Sequence, residues 1–160
     1  MTASDYGVGE AVAAMLHAID NVDWDSAYAS FAATVTIDYT SLWGGEPETL
    51  DAGELIMRWR KLLPGFDSTQ HLLGPVVTTA QDEHQATCTA SIRAYHHLAD
   101  GQDASTWMVA GQYVMTLERL TDGWKIRGIT LNVAYEEGGR TVIERAQERV
   151  AAGRGRTAAA

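Results

Sequence analysis

The chain is poor in the residues that covalent and metal chemistry most often use. Its one cysteine, Cys88, excludes an intrachain disulfide and implies a reducing compartment or indifference to redox conditions. It has no glycine-rich phosphate loop and no closely spaced set of metal ligands, which argues against nucleotide-dependent chemistry and against a bound cofactor. Lysine and arginine number 12 against 21 acidic residues, for a formal net charge of -9. Clustered cations for nucleic acid or for an anionic membrane surface are therefore lacking. There is no run of 18 apolar residues, and residues 1–9 hold no basic segment followed by an apolar one. Neither a membrane span nor an export signal is expected, and the reading is cytoplasmic. No internal repeat is apparent. These absences leave acid-base chemistry on a small organic molecule.

What is present fits one domain. At 160 residues, 46% hydrophobic and 21% charged, the chain can bury a core and is too apolar to be disordered. The domain is expected over 1–150, with 151–160, rich in Ala, Gly and Arg, as a frayed tail. Val8, Val12, Met15, Leu16 and Ile19 recur at helical spacing and predict a first helix from Asp5 to Asn21, capped by Ser4 or Asp5. Asp23 can cap a second helix carrying Trp24, Ala27, Tyr28 and Phe31. The β-branched run 34–40 reads as a strand, followed by a turn at 43–47. Asp51 with Glu54 then resembles a capping box and opens a third helix with Leu55, Ile56, Trp59, Leu62 and Leu63 on its apolar stripe, stopped by Pro64 and Gly65.

From Ser68 onward the period changes from helix to strand. Runs at 70–79, 85–98, 105–120 and 124–135 are separated by turns at Asp82-Glu83, 99–101 and 121–123. A last helix is expected over 136–150. Helices first and sheet second give an α+β arrangement, a strongly curved and mostly antiparallel sheet closed into a cone by the N-terminal helices. The run 85–98 separates its faces by alternation. Ala86, Cys88, Ala90, Ile92, Ala94 and His96 share one face, and Gln85, Thr87, Thr89, Ser91, Arg93, Tyr95 and His97 the other. A face of alanines and one cysteine fills little volume, so it either packs tightly on a helix or borders a hollow. Met57, Trp59, Trp107 and Met108 are candidates for the wall of such a hollow.

Four side chains stand in contexts that let them converge on that hollow: Asp20, Tyr39, His71 and His96. The set can add and remove protons and holds no nucleophile. An imidazole titrates near neutrality and can take a proton from a carbon acid and return it to a departing hydroxyl. A carboxylate fixes its tautomer, and a phenol stabilises an enolate oxygen. Asp20 is placed at a helix C-terminus, where the dipole disfavours a carboxylate, which hints at a second purpose. Each residue also has a plainer reading: helix end for Asp20, core aromatic for Tyr39, satisfied strand histidine for His96. His17, His84 and His97 read as surface residues. A metal held by His71, His96 and Asp20 is the alternative use of the same ligands.

Several segments together resemble the scytalone dehydratase family of the NTF2-like (SnoaL-like) superfamily. They are Asp20 with Asp23-Trp24-Asp25, the run 37–41 around Tyr39, the run 69–74 around His71, His96, and Asp122-Gly123-Trp124-Lys125. The resemblance spans Ala13 to Glu137. It implies the NTF2-like cone, a cofactor-free dehydratase acting on a hydroxylated aromatic or polyketide-like ketone, His71 paired with Asp20, His96 as second histidine and Tyr39 as carbonyl-polarising phenol. The family's second phenol falls at Ile19, and its pocket asparagine has no match near Gln112 and Tyr113. These departures keep open an isomerase or cyclase using the same pocket, and a non-catalytic binding or assembly domain. A homo-oligomer, trimer or dimer, is also expected, with Arg93, Tyr95 and His97 available on the outer sheet face.

Overall fold

The strand runs assemble into one seven-stranded sheet in a computed structural model that describes residues 2, 5–100 and 103–159. In chain order the strands are β1 (Phe31–Asp38), β2 (Glu48–Asp51), β3 (Ser68–Leu73), β4 (Val77–Gln81), β5 (Gln85–Asp100), β6 (Asp103–Leu120) and β7 (Gly123–Glu137). The helices are α1 (Val8–Asp20), α2 (Trp24–Ala29), α3 (Thr40–Trp43), α4 (Ala52–Arg60) and α5 (Thr141–Ala151), with a 3₁₀ turn at Leu63–Gly65. The spatial order is β2-β1-β7-β6-β5-β3, with β4 also on β5. Among the described residues only the β1–β7 pair is parallel; the other pairs are antiparallel.

Local chemistry sets the element ends, and several differ from expectation. α1 starts at Gly7, whose N–H donates to Glu10 Oε2 at 3.3 Å, whereas Asp5 is occupied by Thr2. Ser4, the other expected cap, lies outside the described residues. Asp23 caps α2 as expected, accepting from the Ser26 N–H, but Phe31 already belongs to β1. Asp51 caps α4 through the Gly53 N–H, while Glu54 turns to Arg58 instead of closing the box. The expected strand 70–79 divides at Gly74-Pro75, because proline has no N–H for the ladder; both halves still pair with β5. β2 was not expected: four residues with Leu50 alone buried give too little pattern to read. Glu136 and Glu137 end β7 rather than start the last helix. At Gly138 the chain turns with φ 76°, where a Cβ would lie 1.8 Å from the Thr106 carbonyl oxygen. The hairpin turns at Asp82-Glu83 and 121–123 form, with Asp82 accepting from the N–H groups of His84 and Gln85; the turn at 99–101 lies partly outside the described residues.

The expected face division of β5 holds. Ala86, Cys88, Ala90, Ile92, Ala94, His96 and Leu98 are buried, and their neighbours face outward or are half-buried. The antiparallel register sets Trp107 opposite His96, Val109 opposite Ala94 and Tyr113 opposite Ala90, so the inner face of β6 continues that of β5. α1 closes this face with Val12, Met15, Leu16 and Ile19, all buried. A fully buried side chain of this size contributes about 1.5–3 kcal/mol relative to exposure, so the helix is held by packing rather than by propensity. Small residues on β5 against large ones on α1 and β6 leave a hollow between helix and sheet. No helix among the described residues is long and apolar enough to cross a membrane.

The end of the chain is not simply frayed. After α5, Arg156 folds back and donates hydrogen bonds to the carbonyls of Phe66, Asp20 and Leu63. Composition could not reveal this, because one anchoring arginine does not change the average of its surroundings.

Candidate active site

The hollow is a cavity of about 130 Å³, close to the roughly 150 Å³ that takes a benzene-sized guest in an apolar protein interior. Its wall is mostly aliphatic and aromatic, with Met15, Ile19, Leu42, Trp59, Leu62, Ile92, Val109 and Leu131. His71, His96, Tyr39 and Tyr113 bring titrating groups to it. Trp59 and Trp107 line it as expected. Met57 is instead 50% exposed, and Met108 is buried away from the cavity, one residue out of register with the inward face of β6.

Asp20 and His71 meet where α1 ends against β3. His71 Nδ1 lies 2.7 Å from Asp20 Oδ1, the His71 backbone N–H donates to Oδ2 at 2.8 Å, and Thr69 Oγ1 donates to Oδ1 at 3.0 Å. Thr69 and His71 are two residues apart on a strand, so both project toward the same carboxylate. Burial works to raise the Asp20 pKa, but the hydrogen bonds and charge of His71, with the Thr69 hydroxyl, hold it below the ordinary carboxylate value. Asp20 is thus a carboxylate and can only accept, which puts the imidazole proton on Nδ1 and leaves Nε2 with its lone pair. Two residues past Asp20, Val22 closes the helix in the left-handed region at φ 58° with its side chain buried. A β-branched residue pays there about 1 kcal/mol or more, a position usually given to glycine.

His96 is held differently. Its ring stacks on Trp107 at 4.5 Å, meets Phe66 at 5.2 Å and stands edge-on to His71 at 5.9 Å. Nδ1 lies 3.1 Å from the Trp107 carbonyl, which can only accept, so Nδ1 carries the proton. Burial, reinforced by the neighbouring His71, lowers its pKa to about 4. His96 is therefore neutral near pH 7. Trp107 is itself fixed: its Nε1–H donates to Glu136, which also takes two hydrogen bonds from Arg140, whose guanidinium covers Trp43.

Tyr39, on the turn between β1 and α3, does not stand alone. Its hydroxyl and that of Tyr113 from β6 lie close enough to shift each other's acidity, and both rings line the cavity. Burial raises both phenols, Tyr39 well above its ordinary value and Tyr113 to about 12, where the neighbouring Tyr39 hydroxyl pulls against burial and the Asp20 charge. Both hydroxyls stay protonated near neutral pH and line the cavity, where they can donate to a developing oxyanion. In the sequence, position 19 lacks the expected phenol, and Tyr113 shows only as an aromatic in a buried row. The signal was available in the β5–β6 register, which carries the inward face across the hairpin to Trp107, Val109 and Tyr113.

All four expected site residues therefore line or back one cavity. His17 and His84 are exposed, and His97 bonds Thr106 on the outer face. Among the described residues no group of three or more His, Cys, Asp or Glu side chains is arranged to hold a metal ion; Asp20 and the backbone carbonyl of Trp107 already take up the Nδ1 atoms.

Comparison with known proteins bears on the fold. Solved structures that superpose on the chain include the Kfla4162 protein from Kribbella flavida, with 26% identity, 86% of this chain and 93% of that one covered, and a TM-score of 0.76. A candidate scytalone dehydratase from Novosphingobium aromaticivorans matches with 14% identity, 84% and 86% covered, and a TM-score of 0.69. A hexachlorocyclohexane dehydrochlorinase, LinA-type3 from Novosphingobium barchaimii, matches with 12% identity, 84% and 88% covered, and a TM-score of 0.63. No curated protein matches the chain in sequence. The curved, unclosed sheet with helices at its N-terminal side is the NTF2-like fold, and with the SnoaL-like domain model matching residues 2–130, the chain belongs to the SnoaL-like family.

Proposed function

We propose that the protein is a cofactor-free lyase that removes water from a small hydroxylated ketone, aromatic or polyketide-like. The observation that carries this reading is the Asp20–His71 pair at 2.7 Å, with Nε2 left free, in an apolar cavity that also holds the Tyr39–Tyr113 pair. His71 Nε2 takes the proton α to the carbonyl, and Asp20 stabilises the imidazolium. Tyr113, backed by Tyr39, holds the enolate oxygen. The enolate then collapses, the β-hydroxyl departs with the proton of the imidazolium, and an enone and water result. Since His96 stays neutral near pH 7, it serves as a hydrogen-bond acceptor for the substrate hydroxyl rather than as the acid. Two structural neighbours are named for eliminations, a dehydratase and a dehydrochlorinase, which supports the reaction class.

The same neutrality of His96 favours a second reading. A single proton-carrying base opposite a phenol pair suffices for isomerisation or cyclisation, which needs no leaving hydroxyl. Purified protein incubated with a panel of β-hydroxy ketones, single-ring and tetralone, separates the two by product mass. Loss of 18 mass units in the wild type and none with His71→Asn supports dehydration. Product of unchanged mass supports isomerisation, and turnover retained by His71→Asn would overturn the base assignment.

A further inference from the structure

Arg156 lies 136 positions after Asp20 and beyond the residues matched by the family model. Its guanidinium reaches the end of α1, the 3₁₀ turn and the start of β3, and so touches the two segments that carry Asp20 and His71. Nη1 donates to the Asp20 carbonyl at 3.1 Å, Nε to the Phe66 carbonyl at 2.7 Å, and Nη2 to the Leu63 carbonyl at 3.3 Å and to Thr69 Oγ1 at 3.4 Å. Its backbone N–H donates to the Pro64 carbonyl at 2.7 Å. Arg149 of α5 adds contacts to the Gly65 carbonyl and the Asp67 carboxylate. Asp20 ends α1, Thr69 precedes His71 by two residues, and the Phe66 ring lies against His96.

The hydroxyl of Thr69 is the informative atom. A guanidinium can only donate and a carboxylate can only accept. Placed between them, the hydroxyl must present a lone pair to Arg156 and its proton to Asp20 Oδ1. We infer that Arg156 is a positioning residue for the Asp20–His71 dyad: it orients the Thr69 hydroxyl toward Asp20, ties the last turn of α1 to β3, and places a fixed positive charge beside the carboxylate. The inference rests on the reading of His71 as the base. The remaining groups facing the dyad are His96 from β5, the Tyr39 and Tyr113 phenols, and Asp67 with Arg149 on the far side of Arg156.

The experiment is an NMR titration of the His71 imidazole in the ¹⁵N-labelled full chain, wild type against Arg156→Met and Arg156→Lys. Removing a cation beside the carboxylate makes the imidazolium easier to form, so the methionine variant titrates higher by about half a pH unit, and its Nδ1–H signal broadens. The lysine variant returns the midpoint toward wild type. Arg156→Gln replaces the methionine variant if that one does not fold. Where the panel supplies a substrate, kcat falls about tenfold with KM within about threefold. An unmoved His71 titration and Nδ1–H signal, even with a lower melting temperature, would make Arg156 a mere tail anchor and overturn the inference. Because the titration needs no substrate, a panel without turnover counts against the proposed reaction and leaves this result standing on its own.

Discussion

His71 and His96 stand 5.9 Å apart in one cavity, and their surroundings assign them opposite work. Behind His71 lies the Asp20 carboxylate, itself held by the Thr69 hydroxyl and the His71 backbone N–H. Behind His96 lie two aromatic rings that bury it and, together with the neighbouring His71, resist its charging, while the Trp107 carbonyl holds the ring and works the other way. On the proposed reading the same side chain is a proton carrier in one place and a neutral acceptor in the other. The neutrality of His96 belongs to its surroundings, so two histidines in a pocket need not mean an acid and a base.

Substitutions on either side sharpen the contrast. The largest loss is expected for His71→Asn, about 10⁴-fold or more in kcat with substrate binding nearly unchanged, read by steady-state kinetics and equilibrium binding. Asp20→Asn follows, at roughly 10³-fold, because the carboxamide no longer stabilises the imidazolium and can favour the wrong tautomer.

On the other side the effect is on stability. The pKa of His96 is about 4 folded against 6.5 unfolded, so below pH 6.5 the unfolded chain gains a proton that the folded one refuses. Stability therefore falls as pH drops from 6.5 toward 4, by roughly 3 kcal/mol in total from this group. Urea unfolding across that range should show the slope in wild type and a flatter curve in His96→Gln. An identical slope in both would remove His96 as its source. The smallest effects concern the phenols: Tyr113→Phe is expected to lower kcat about 10²-fold and Tyr39→Phe about tenfold, the reverse order indicating that Tyr39 faces the substrate.

The fold was legible because period changes are physical: helical spacing to Leu63 and alternation from Ser68 need no long-range information. The β5 face was legible for the same reason, down to His96. The pairing of Asp20 with His71 came from resemblance, since nothing local to either residue announces the other across 51 positions. Tyr113 was not legible because its own strand shows only an aromatic in a buried row, and its cavity neighbour Tyr39 comes from a turn distant in sequence. The neutrality of His96 was equally hidden, being set by burial among other segments and by the neighbouring His71. β2 and the Arg156 anchor escaped because a four-residue strand and a single side chain leave no periodic trace.

The wide spacing of these partners along the chain also has a temporal meaning. A nascent chain exposes α1 first, gains His71 and the β5–β7 meander much later, and obtains Arg156 only after α5 has emerged. Loop closure over such separations is slow compared with local helix formation. Asp20 and His71 can thus meet before Arg156 exists, and on the proposed reading the dyad gains its positioning residue only once α5 has formed.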